Sequence, residues 1–123
     1  MNAELLRGRT FEFGIRCVKL SEVLPKGRAG DVIARQLLRC GTSVGSNYRA
    51  ACRARSQNEF VAKLGIVEEE CDEAIYWLEI IAELKLVKPA QLSSLKTEAN
   101  ELLAITISSI KTARTRAKSS SPK

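Results

Sequence analysis

The chain has 123 residues, 45% of them hydrophobic and 5% aromatic, and 20 Lys and Arg against 14 Asp and Glu give a formal charge of +6. That length and apolar content suit one domain with a real core, the weight of Ala, Leu, Glu, Lys and Arg points to helices, and the positive field favours polyanions such as nucleic acid or an acidic protein surface. The four cysteines form no C-x-x-C pair and histidine is absent, which removes the usual zinc and haem signatures, and no apolar run is long enough to cross a bilayer. No metal, cofactor or membrane partner is therefore expected. The thiols are read as reduced and buried, and without an apolar leader the chain is expected in the cytoplasm.

Residues 10–24, TFEFGIRCVKLSEVL, hold apolar side chains at helical spacing and stop at Pro25, with Gly27 and Gly30 in the turn that follows. This first helix is short. Phe13, Cys17, Leu20 and Leu24 line one side of it, mirrored by Phe11, Ile15 and Val18 on the other.

Asp31 is the expected N-cap of a second, longer helix. Its stretch GTSVGSN, residues 41–47, has the composition of a loop, yet Ile33, Leu37, Cys40, Val44, Tyr48 and Ala51 stay within an arc of about 80° at 100° per residue. A loop has no reason to keep that phase. Ala34, Gly41, Gly45 and Cys52 make a strip of small residues beside the arc, where another helix can approach closely. Each glycine costs about 1 kcal/mol relative to alanine in a helix interior, which close packing must offset. A phosphate-cradling loop would need a preceding strand and a G-K-[ST] ending, and neither is present.

SQNE at 56–59 is a capping box that opens a third helix. Its seam is Phe60, Leu64, Val67, Cys71, Ile75, Leu78 and Ala82, running to about Leu86 before Pro89. A fourth helix follows on Leu92, Leu95, Ala99, Leu102, Thr106 and Ile110, then passes into TARTRAKSSSPK, which is too polar to bury a face. The expected organisation is a bundle domain over 1–113 and a basic, Ser-rich flexible tail over 114–123. Short connections make the architecture all-α, an antiparallel up-down four-helix bundle.

Two surfaces stand out. Arg35, Arg39, Arg49 and Arg53 share an arc of about 80° opposite the core of the second helix, a row of planar forks suited to phosphate oxygens. The competing reading pairs them with Glu69, Asp72 and Glu73, since an antiparallel hairpin turning near Ser56 brings Arg39 level with Glu73. On the third helix Ala62, Ile66, Tyr76, Trp77, Ile80 and Leu84 lie away from the seam. Ile66, Tyr76, Trp77, Ile80 and Leu84 are the candidate oligomer interface, with extra core burial as the alternative. No nucleophile and base pair appears, and the acidic run VEEECDE at 67–73 lacks the Glu-x-x-His pairs of di-iron bundles, so catalysis is not expected.

In order and spacing, LP at 24–25, QLLR at 36–39, SVGSN at 43–47, RS at 55–56 and EFVAKL at 59–64 make nearly the whole chain resemble a known family. It is the family of four-helix bundle proteins encoded within intervening sequences of bacterial 23S ribosomal RNA genes, also labelled S23. The resemblance implies a barrel-like homopentamer. It also implies kinship with the accessory variability-determinant proteins of diversity-generating retroelements, basic bundles that bind nucleic acid and associate with a reverse transcriptase. Many relatives carry a proline and AEG around the SN element, whereas this chain reads VGSNYRAAC, which favours a straighter second helix. The expected function is non-catalytic, oligomeric binding of RNA or DNA through basic surface with little sequence preference. The alternative is a scaffold that presents its basic face to an acidic protein such as a reverse transcriptase.

Overall fold

Local capping chemistry sets where each helix begins. In the computed structural model, which describes residues 2–120, α1 runs Ala3–Val23, α2 Arg28–Cys52, α3 Gln57–Glu83 and α4 Pro89–Ser120. α1 starts at Ala3 and not at Thr10, because Asn2 Oδ1 caps it by accepting the Leu5 N–H at 2.8 Å. The first helix is therefore not short. Leu6 and Thr10 extend its buried stripe toward the N-terminus, and the interspersed Gly8 and charges hide that stripe in the sequence.

α2 starts at Arg28, three residues before the expected cap at Asp31. Gly27, at φ 139°, occupies backbone space that a side chain would strain, and its carbonyl receives the Asp31 N–H at 2.9 Å. Asp31 instead sits in the first turn, where a carboxylate suits the positive end of the helix dipole. At α3 half of the expected box forms: Ser56 Oγ accepts the Glu59 N–H at 3.0 Å, while Glu59 Oε2 accepts the Arg55 N–H at 3.4 Å and not that of Ser56. α3 closes with Lys85 at φ 54° and its N–H on the Ala82 carbonyl, while the Leu86 N–H reaches Ile81, the paired bonds of a Schellman end.

Pro89 occupies the first position of α4, where its missing N–H is not needed. Where the sequence suggested a tail from residue 114, α4 continues through residues 114–120 to Ser120. Adding residues to a formed helix is cheap, alanine and the long cations are good helix formers, and Lys118 in the last turn favours the negative end of the dipole. Residues 121–123 lie outside the described range.

Each helix packs antiparallel on the next, and α4 closes back on α1 by a much looser seam. The buried arc on α2 and the buried row on α4 contain every residue the two seams named. On α3 the buried residues are Leu64, Val67, Cys71, Ala74, Leu78 and Ile81, so the seam is rotated from the expected Ile75 and Ala82, which are half-buried. A helix wedged between α2 and α4 must bury a wide arc, and apolar residues on several sides of α3 left its centre ambiguous.

The small-residue strip packs on α1. A Cβ at Gly41 would lie 2.6 Å from the Cys17 Cβ and Sγ, one at Gly45 would lie 3.1 Å from the Thr10 carbonyl oxygen, and Gly14 faces Thr42 from the other side. Three glycines thus bring two helix backbones together. The polar residues of the same stretch bond to their own helix: Thr42 Oγ1 donates to Leu38 O at 2.7 Å, Ser43 Oγ to Arg39 O at 2.8 Å and Asn47 Nδ2 to Ser43 O at 2.9 Å. A loop-like composition is in this way accommodated by an unbroken helix.

The α1–α4 seam is polar by contrast. Arg9 donates from Nε to Glu98 at 2.9 Å and from Nη2 to Glu101 at 3.0 Å, and Arg16 Nη2 donates to Ser94 Oγ at 2.9 Å. The Glu98 hydrogen bond is the main reason that the Arg9 guanidinium holds its proton even more firmly than usual. In the core Cys17, Cys40 and Cys71 are free and buried; burial pushes Cys17 up and both Cys40 and Cys71 to about 12. Such thiols are not nucleophiles at neutral pH.

Candidate nucleic-acid interface

Because α2 is one continuous helix, Arg35, Arg39, Arg49 and Arg53 do share its outer side, and all four are exposed. Their surroundings divide the row. Arg39 Nη1 lies 3.3 Å from a Glu70 oxygen, Arg39 Nη2 bonds Glu73, and Trp77 Nε1 donates to the same Glu73 at 3.2 Å. The Arg39 hydrogen bond holds the Glu73 carboxyl below its ordinary range, and Glu73 in turn raises Arg39. The acid pairing thus forms on Glu73 as expected, with Glu70 beside it, while Glu69 and Asp72 take no part.

Arg35, Arg49 and Arg53 have no carboxylate partner among the described residues. Arg35 stands about 27 Å along the axis from Arg53, too far for one compact contact. Arg49 and Arg53 instead converge with Arg55 and Lys63 around a cleft of about 570 Å³, whose other walls include Ser46 and Glu59. The cleft exists because the α2–α3 turn at residues 53–56 folds Arg55 and the first turns of α3 back beside the end of α2. The wheel of α2 alone missed Arg55 and Lys63; the turn marked by the capping box was the signal that would have included them.

Antiparallel topology gathers more charge at this end. The half of the bundle built from the start of α1, the α2–α3 hairpin and the end of α4 carries Arg7, Arg49, Arg53, Arg55, Lys63, Lys111, Arg114, Arg116 and Lys118, while Arg9 is paired with Glu98 and Glu101 nearer the middle and counts with them. Only Glu4, Glu12 and Glu59 oppose the cations of this half. In the other half the acids Glu68, Glu69, Glu70, Asp72, Glu73, Glu79 and Glu83 of α3, with Glu22, Asp31, Glu98 and Glu101, outnumber the cations. The net positive charge of the chain is therefore an excess at one pole over a slightly acidic remainder, a field that draws polyanions to that pole.

The candidate oligomer face also divides. Ile66, Tyr76 and Leu84 are 39%, 54% and 53% exposed, whereas Trp77 and Ile80 are half-buried and packed against the core. Tyr76 meets Trp77 edge-on with ring centres 5.1 Å apart. A separate apolar side chain, Phe11 of α1, is 62% exposed. Among the described residues no helix is long and apolar enough to cross a membrane, and no group of three or more side chains is placed to hold a metal ion.

Fold and surface together define a small all-α antiparallel bundle with its positive charge gathered at one end. The chain belongs to the 23S rRNA-intervening sequence protein family, whose model matches residues 7–108. It is similar to a crystal structure of a protein of unknown function from the S23 ribosomal protein family of Bacteroides thetaiotaomicron, with 33% identity and a TM-score of 0.83 over 90% of this chain and 99% of that one. No curated protein matches the sequence.

Proposed function

We propose that the protein is a non-catalytic, oligomeric binder of RNA or DNA that grips the phosphate backbone at its basic pole, with little sequence preference. The observation that carries this reading is the cleft of Arg49, Arg53, Arg55 and Lys63, in which Arg49 and Arg53 have no carboxylate partner among the described residues. Arginine forks match phosphate geometry, and phosphate contacts give affinity without reading bases. Arg39 is the weakest member of the original row for this purpose, since binding phosphate would cost it Glu70 and Glu73.

Titration of a labelled oligonucleotide over a salt series tests the reading. Each phosphate neutralised adds about 0.9 to the slope of log affinity against log salt for duplex DNA. The cleft supports a slope of about three to four per engaged protomer, and binding that ignores salt contradicts it. Buried, raised thiols and the lack of histidine support a role without catalysis, and free cysteines suit the reducing cytoplasm.

Self-association belongs to the same proposal. Exposed Ile66, Tyr76 and Leu84 offer an apolar patch, and the assembly proposed is the homopentamer that the family resemblance implies. Light scattering should then give five times the 13.6 kDa chain mass; a monomer at micromolar concentration contradicts it. An acidic protein such as a reverse transcriptase would meet the same pole, and nuclease-resistant co-purification would favour that scaffold reading over direct nucleic-acid binding.

A further inference from the structure

The cation cleft holds more charge than an internal stretch of nucleic-acid backbone can answer. One wall is the end of α2, with Ser46, Arg49, Ala50 and Arg53; the other is the start of α3, with Glu59 and Lys63, and the turn that carries Arg55 joins the two at one end. None of the four cations forms an ion pair among the described residues. Glu59 is the single carboxylate in the lining, and its Oε2 accepts the backbone N–H of Arg55 at 3.4 Å. Four cations against one acid leave an excess of three positive charges around a space of about 570 Å³.

That volume is typical of a small-ligand site, about 300–1,000 Å³, and takes about one nucleotide rather than a run of them. An internal nucleotide brings one negative charge, and its strand must both enter and leave the cleft. A strand end needs only one way in. A terminal phosphomonoester brings close to two charges at neutral pH and three oxygens for arginine forks, and the next diester adds a third charge at the open side. The carbonyls of Ala50 and Ala51 near the end of α2, which would repel an anion, are already taken by the Arg53 and Ala54 N–H groups at 3.1 and 3.0 Å.

We propose that the cleft seats a phosphorylated end of a nucleic-acid strand, with the terminal phosphomonoester among Arg49, Arg53, Arg55 and Lys63. This rests on the nucleic-acid reading above and narrows it from any stretch of backbone to strand ends. A terminal phosphate carries no base identity, in keeping with weak sequence preference.

The test measures fluorescence anisotropy of three internally labelled oligonucleotides on the full chain. One ends in a 5′-phosphate, one in a 3′-phosphate, and the third has neither but is one nucleotide longer, so that all carry the same number of phosphates. At least one phosphorylated strand should bind about tenfold more tightly than the third, and the end that gains is the end the cleft takes. Arg49→Gln with Arg53→Gln should remove that preference. Glu59→Gln, at an exposed position, should tighten the preferred strand by about threefold, a gain that no folding defect can mimic. Equal affinity for the three strands, or a preference that survives the double variant, overturns the seat while leaving salt-dependent binding intact. Adenosine 5′-monophosphate that competes as well as the strand itself also overturns it, because the site would then belong to free nucleotides. Failure to bind any strand overturns the broader reading.

Discussion

Arg39 and Arg49 sit on the same face of the same helix and have opposite fates. Arg39 is paired at the surface with Glu70 and Glu73 of α3, while Arg49 lines a cleft with Arg53, Arg55 and Lys63. What separates them is the neighbouring helix: level with Arg39, α3 carries its acidic run, and level with Arg49 it carries Lys63 and its first turn. A row of like charges on one helix is therefore not one surface. Its chemistry is set by the antiparallel partner.

The largest expected effect breaks the cation cleft. Arg49→Glu with Arg53→Glu should lower oligonucleotide affinity at 0.1 M salt by about a hundredfold and flatten the salt slope by nearly two, read by fluorescence anisotropy. Arg35→Glu should change affinity by no more than about threefold, because that side chain stands in the acidic half. Similar losses in both variants would erase the distinction between the poles.

An uncharged change separates stability from charge. Gly41→Ala forces a Cβ to within 2.6 Å of Cys17, and overpacking of this kind costs about 1–3 kcal/mol, which a urea midpoint reports. Oligonucleotide affinity should stay constant wherever the variant is folded. Lys85→Gly removes a cation from the acidic half and relieves a side chain at φ 54°. It should stabilise the bundle by up to about 1 kcal/mol with no change in affinity, showing that the place of a charge matters and its count does not.

The smallest effect concerns acid. Since Arg39 depresses the Glu73 pKa in the folded chain, the pair adds stability above the unfolded carboxylate value of about 4.3, and that stability is lost as pH falls through the lower folded value. Urea midpoints of the wild type and Glu73→Gln should converge as pH drops below about 4. The contribution of such an exposed pair is small, so a large gap at pH 7 would point to a tighter interaction than the geometry supports.

Much of the bundle was legible in the sequence, because the seams of α2 and α4 each have one apolar stripe and a polar back. The helix through GTSVGSN was legible for the same reason: phase survived across two glycines that composition alone assigns to a loop. α3 was harder, since Ile75, Tyr76, Trp77, Leu78, Ile80 and Ile81 leave no bare side from which to fix the centre of burial. The start of α1 and the continuation of α4 depend on capping and helix propagation, which leave faint periodic signals in charged, glycine-containing stretches. The charged pole was hidden for a different reason. Lys63 becomes a neighbour of the α2 row's end only when α3 folds back beside α2, whereas a helical wheel shows one helix at a time.

Cross-linking a bound oligonucleotide by ultraviolet light and mapping the modified peptides by mass tests the location of the contact most directly. Adducts should fall within residues 46–63, at the α2–α3 hairpin. Adducts concentrated instead around Arg35 and Arg39 would contradict the account.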